Sequence, residues 1–281
     1  MNWLACLVPA LALSAFASPA RAQATESSPM LTAGLSAGVM RFRSGLQREV
    51  LSGALQYRPT SWLTVGAAPT AVRVAPAGGA AYAGVGDLPV TVGVSKPLAG
   101  APAFSLGAGL VASLPVGNRS NDIGSREVGW AMDLAAGFAP RDRFLFYGSV
   151  SRDLAGARGG GAILSVRYTS LGADAALGLS GRFTATASLA ADAARSDSLA
   201  PLVRTAGVGF TLRLVRDLQL IVDGGLGVNQ DSPRWLLSIG VGTAYSGLSP
   251  VGLNNPGQRL KTTFGRGPAK LKSDLRAKRG S

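Results

Sequence analysis

The segment 183–194 constrains the fold more than any motif in the chain. Phe183, Ala185, Ala187, Leu189, Ala191 and Ala193 alternate with Thr184, Thr186, Ser188, Ala190 and Asp192. A period of two puts the two sets on opposite faces of an extended strand, each face meeting different surroundings. About ten residues is also the length a tilted strand needs to cross a bilayer. The pattern recurs about a dozen times between Leu31 and Tyr245. The sequence therefore predicts an all-β fold, a transmembrane antiparallel β-barrel of about 12 strands.

Strands are expected near 31–40, 47–57, 62–73, 87–96, 103–114, 128–138, 143–153, 169–180, 183–194, 204–215, 218–228 and 235–245. The links between them sort into two sets. One set, near 41–46, 74–86, 115–127, 154–168, 195–203 and 229–234, is mostly long, polar or glycine-rich. The other, near 58–61, 97–102, 139–142, 181–182 and 216–217, is short and turn-like. Outer-membrane barrels carry longer extracellular loops and short periplasmic turns, so a periplasmic N-terminus puts the long set outside. A soluble periplasmic β-protein is the alternative, and it gives no reason for this sorting. Glycine supplies 38 of the 281 residues, about double its usual share, which suits walls that bend and faces that must leave space.

The first residues agree with that compartment. Leu4 to Ala17 is apolar and leads into Ser18-Pro19-Ala20-Arg21-Ala22, an A-x-A-type cleavage site. Residues 1–22 are thus expected to be a signal peptide, residues 23–246 the barrel and residues 247–281 a basic, disordered periplasmic tail. An uncleaved helical anchor is the alternative for the first segment, because no Lys or Arg precedes the apolar run. Cys6 is the only cysteine, so the mature chain has neither disulfide nor thiol chemistry. After the leader no stretch reaches the roughly 18 uninterrupted apolar residues of a membrane helix.

The net charge of +13 suggests nucleic acid until it is located. Residues 257–281 hold eight Lys and Arg against the single Asp274, and the barrel itself is nearly balanced. With only Phe264 as an aromatic in the tail, no nucleic-acid partner is expected. A tail that meets anionic envelope components is the alternative to a free one.

Isolated carboxylates are costly against lipid, so Asp133, Asp174, Asp192 and Asp223 are assigned to the lumen, with Arg213 on the same inward face. Leu106, Leu110, Trp130, Met132, Leu134, Leu171, Leu220, Val222 and Leu226 are assigned to the lipid face. The inner wall then reads as small residues, too small to fill a barrel of this width. Each inward carboxylate is read either as a group that tunes a solute path or as half of a wall-bracing pair with an Arg such as Arg213 or Arg167. Tyr57, Trp62, Phe138, Phe144, Trp235 and Tyr245 fall where interfacial belts belong.

The chain has no histidine, which excludes the histidine-dependent barrel hydrolases and His-based metal sites. No catalytic residue, metal or cofactor is expected, and the chain is not read as an enzyme. Gly107-Ala108-Gly109-Leu110-Val111-Ala112 fits a dinucleotide-binding pattern in letters only, because it lies inside an alternating strand instead of a strand-to-helix turn.

Tyr82-Ala83-Gly84-Val85-Gly86-Asp87-Leu88-Pro89, Leu114-Pro115-Val116-Gly117 and Val128-Gly129-Trp130-Ala131-Met132-Asp133-Leu134 carry one resemblance. Across about 82–154 the chain resembles the outer-membrane family labelled for a meta-pathway of phenol degradation, with Val116 where that family usually has Thr. The family is similar to the twelve-stranded pore that exports functional-amyloid subunits. The resemblance implies an outer-membrane, transporter-like barrel and names no substrate. The expected function is a passive channel for a small, hydrophobic or aromatic solute, in contact with outer-membrane lipid and the barrel-assembly machinery. A non-transporting anchor that binds envelope components through loops or tail is the alternative.

Overall fold

Strands that alternate over ten or more residues have one way to satisfy every backbone group in lipid, which is to pair on both sides and close. The computed structural model describes residues 30–60, 62–99, 101–117, 123–124, 127–141, 144–155, 168–180, 182–195, 202–215 and 218–243. The signal-peptide and tail assignments, Arg167 and Tyr245 lie outside the described residues.

The strand segments are β1 (Met30–Phe42), β2 (Gln47–Arg58), β3 (Leu63–Ala67), β4 (Thr70–Ala75), β5 (Tyr82–Val85), β6 (Leu88–Leu98) and β7 (Ala101–Leu114). They continue as β8 (Gly129–Arg141), β9 (Phe144–Ala155), β10 (Tyr168–Gly178), β11 (Phe183–Arg195), β12 (Arg204–Val215), β13 (Leu218–Gly227) and β14 (Pro233–Thr243). All neighbours pair antiparallel, and β1 pairs with both β2 and β14, which closes the sheet.

Fourteen segments make a wall of twelve strands, because two courses are broken. β3 and β4 lie end to end along β2, and β5 and β6 do the same one place further round. Pro69 has no N–H to give to a ladder and ends the first course. Its carbonyl still accepts from Gly53 N at 2.9 Å, and Ala68 N reaches the Pro89 carbonyl at 3.1 Å, so the break leaves both groups satisfied. The second break, at Gly86-Asp87, sits beside the first, with Gly86 N donating to the Thr70 carbonyl at 2.9 Å. The sequence reading put 74–86 wholly in a loop. The structure instead folds Tyr82–Val85 onto β4, where Gly84 and Gly86 had masked a short strand. Gly107 to Ala112 lies within β7.

Leu134, Leu171, Leu189, Val208, Leu226 and Ile239 are between 45% and 64% exposed, side chains left for lipid. Rings gather at the short-turn end. Phe104 and Phe138 stack at 4.3 Å, Phe138 and Phe146 at 6.4 Å, and Phe183 and Phe210 at 5.6 Å, while Tyr57 and Trp62 stay about half exposed.

One sector inverts this polarity. At the long-loop ends of β2 and β4, Leu46, Val50, Val72 and Val74 point inward and are buried. Glu49 and Arg73 are register partners on the outer face, with Arg73 Nη1 2.8 Å from Glu49 Oε1. At this end Glu49 and Arg73 face out while these four apolar side chains face in.

Candidate functional site

The described lumen has two unlike sectors. On β8 to β13 most inward positions are small, hydroxylic or acidic. Asp133, Asp192 and Asp223 are buried and Asp174 is half-buried, each alternating with outward apolar neighbours. Their register partners are small or uncharged. Asp133 faces Gly109 and Ser151, Asp174 faces Tyr147 and Ser188, Asp192 faces Ser170, and Asp223 faces Gly209 and Ser238.

Hydroxyls and one backbone amide hold Asp192 and Asp223 in place. Ser170 Oγ donates to Asp192 Oδ1 at 2.7 Å, and Val203 N donates to Asp192 Oδ2 at 2.9 Å. Asp192 thereby ties β10 to the segment entering β12. Ser238 Oγ reaches Asp223 Oδ2 at 3.5 Å. Asp223 leans over β12 into space that only a glycine leaves. A Cβ on Gly209 would overlap the Asp223 carboxylate and stand 2.5 Å from Thr186 Oγ1. Tyr147 is buried on the same face, within electrostatic reach of Asp133 and Asp174.

Arg213 stands apart from this set. It is exposed near the short-turn end of β12, its N donating to the Arg182 carbonyl at 2.7 Å. Arg213 pairs in register with Gln219, four residues along β13 from Asp223, or about 13 Å at strand rise. In register Arg213 therefore lies four residues from Asp223, whose carboxylate meets the Ser238 hydroxyl.

The second sector is apolar. Met40, Leu46, Val50, Val72, Val74 and Leu236 form a buried cluster on β1, β2, β4 and β14, with Phe42, Tyr82 and Ile123 packed against it. Within this sector Arg48 also points inward and is buried. Towards the short-turn end the same sector turns polar and uncharged through Thr32, Ser52, Gln56, Thr64 and Thr91. Sequence reading expected small residues all round and missed both the cluster and Arg48. In Leu46-Gln47-Arg48-Glu49-Val50, polar residues fall on both faces, so alternation alone cannot orient the strand. Only the pairing of Arg48 with Met40 and Val74 does.

Two of the motif segments meet beside this cluster. Asp87 Oδ1 accepts from Gly117 N at 3.2 Å. Gly117 and Gly124 touch backbone to backbone, and a Cβ on Gly117 would lie 2.6 Å from Gly124 Cα. The contact carries the chain back so that Ile123 rests on the cluster.

No protein-family model matches the chain, and no curated protein matches it. Among solved structures, an outer-membrane channel from Pseudomonas putida F1 superposes with a TM-score of 0.55 at 16% identity, covering 81% of this chain and 99% of that one. The NanC porin gives 0.52 at 10% identity over 76% of this chain and 100% of its own. The KdgM porin in complex with disordered oligogalacturonate gives 0.51 at 9% identity, over 75% and 99%. At these identities the likeness is one of fold. The chain has the fold of outer-membrane channel and porin barrels.

Proposed function

We propose that this barrel is a passive channel of the Gram-negative outer membrane for a small, hydrophobic or aromatic solute. The observation that carries the reading is the split lumen, in which an apolar cluster at the long-loop end gives way to Thr32, Gln56, Thr64 and Thr91 below it. An apolar solute leaving water gains roughly 25 cal/mol for each Å² it buries. A short apolar patch followed by uncharged hydroxyls captures such a solute without holding it along the whole path. The fold shared with channel and porin barrels supports the same reading, as does the resemblance to the family labelled for phenol degradation.

Outer-membrane lipid around the apolar belt and the barrel-assembly machinery are the partners this role requires, and it needs no cofactor or catalytic group. The reading is tested by reconstituting the full chain in liposomes and following toluene and glucose entry. Toluene entry above protein-free vesicles, with little glucose entry, is expected. No flux of either solute from folded protein would overturn it.

A further inference from the structure

We infer that the outer rim of β12, β13, β14, β1, β2 and β4, at the long-loop end, binds a phosphorylated lipid of the outer leaflet. Its phosphates meet arginine side chains, and its acyl chains lie on the wall below them. The inference concerns the outer surface of the barrel and does not depend on the channel reading.

These six segments are neighbours in the closed sheet. Their long-loop ends and links carry Arg41, Arg43, Arg73, Arg204 and Arg234 around the rim, while Arg48 points into the lumen. Arg41 is exposed on the outward side of β1, because its neighbour Met40 belongs to the buried inward cluster. The register partners of Arg41 are Trp235 on β14 and Gln47 on β2. Arg204 is exposed four residues before Val208, on the same outward face of β12. Arg43 donates to the carbonyls of Asn229 and Gly227, which holds the β1–β2 turn against the β13–β14 link. Arg234 is exposed at the start of β14, and Arg73 sits outward on β4 beside Glu49.

Charge at this rim is not balanced. Among the described residues of these ends and links the carboxylates are Glu49 and Asp231. Glu49 is engaged by Arg73 at 2.8 Å, and Asp231 Oδ2 accepts from Leu202 N at 3.3 Å. Five guanidiniums against two carboxylates leave a positive surplus that persists at any physiological pH.

Position along the strands chooses the occupant. Leu237 and Ile239 are about half exposed, and they pair with Val39 and Ala37 of β1. Those partners lie two and four residues below Arg41, or about 7 and 14 Å along the strand. An occupant must therefore place anions at the rim and hydrocarbon down this wall. A lipid does both, whereas a soluble anion or an acidic protein leaves the wall bare. Guanidinium forks take phosphate oxygens in pairs, and Trp235 lies at the head-group level. Five steps of about 4.8 Å make the rim roughly 24 Å wide, room for a head group with more than one phosphate. At the short-turn ends of β1, β2, β12 and β14 the outward residues Leu31, Tyr57, Leu212 and Val241 carry no charge. The arrangement thus selects the leaflet at the long-loop end, which in outer-membrane barrels is the external one.

The test uses the full chain folded in non-ionic detergent and read by native mass spectrometry, with diphosphorylated lipid A and its dephosphorylated form as probes. The phosphorylated lipid should be retained at about tenfold lower concentration than the dephosphorylated one. Excess inorganic phosphate should not displace it. Arg41→Gln, Arg204→Gln and Arg234→Gln combined should erase the preference, and the three corresponding lysine substitutions should keep part of it. Lys96→Gln, which removes an exposed cation at the short-turn end of β6, should leave the preference unchanged. Mobility on a gel with and without heating reports whether each barrel is folded. If the triple variant is not folded, Arg41→Gln and Arg204→Gln are read singly, each expected to weaken the preference about threefold. Equal retention of the two lipids by the unmodified protein would overturn the site, as would a preference that survives these substitutions. Displacement by inorganic phosphate would make it a site for the free ion, and a loss with Lys96→Gln as large as with the rim variants would reduce it to net charge. A dimer in place of the lipid adduct would give the rim to a second copy of the chain, and each of these three results overturns the lipid assignment.

Discussion

At the residue scale, the four inward carboxylates are chemically alike and structurally different. Asp192 accepts from Ser170 Oγ and Val203 N, so its removal strands two donors. Asp192→Ala should cost about 1–3 kcal/mol, read as a lower urea midpoint for the refolded barrel. Asp174→Asn, opposite Tyr147, should instead reduce the channel's preference for cations, read as a smaller reversal potential in a salt gradient. Gly209 and Asp223 act as one unit, since a Cβ at Gly209 would overlap the carboxylate. Gly209→Ala should destabilise the wall, and Asp223→Ala should relieve part of that loss. A double-mutant cycle should show coupling of about 0.5–3 kcal/mol; strict additivity would show that the two do not share space. Sequence alternation placed these carboxylates on one face, but it could not reveal which of them has hydroxyl partners, because those partners come from strands 15 to 22 residues away.

At the element scale, the face a residue takes depends on where its strand meets the bilayer. Leu189 lies near the middle of β11 and is 61% exposed. Leu189→Arg should cost roughly 2–4 kcal/mol, the range for an arginine on the lipid face near the midplane. Glu49 also faces out, but at the long-loop end, in a partly exposed pair with Arg73. Glu49→Gln should cost less than about 1 kcal/mol, as exposed ion pairs do. Unfolding of both variants from the same lipid vesicles makes the comparison, and equal costs would remove the assigned depths. The two broken courses belong to this scale as well. The sequence reading ran one strand over 62–73, across Pro69, where the structure breaks the first course; the second follows from Gly86 N turning to the Thr70 carbonyl, a long-range pairing without a local signal.

At the scale of the whole molecule, closure is the defining event. Ala37 on β1 and Ile239 on β14 are register partners across the seam. With Cys6 the chain's only native cysteine, Ala37→Cys with Ile239→Cys should form a cross-link on oxidation of the folded protein. Mass spectrometry of the digested barrel would show the linked peptides; two free thiols in folded protein would mean an open sheet. Closure also brings the apolar end of β14 beside β1, whose other neighbour is β2, and thus assembles the cluster around Arg48 from segments nearly 200 residues apart.

The sequence by itself determined the barrel class, the sorting of loops from turns, and the faces of β7 to β13. Wherever one side of a strand meets lipid and the other a polar lumen, a period of two is enough to choose. The tertiary structure decided what β1, β2, β4 and β14 present to the lumen, where Asp87 and Gly117 meet, and which groups hold the carboxylates. At the long-loop end of β2 and β4 the outer face carries the Glu49–Arg73 pair, so hydrophobicity stops marking the outside. Register alone then decides that Glu49 and Arg73 face out while Arg48 and its apolar neighbours face in.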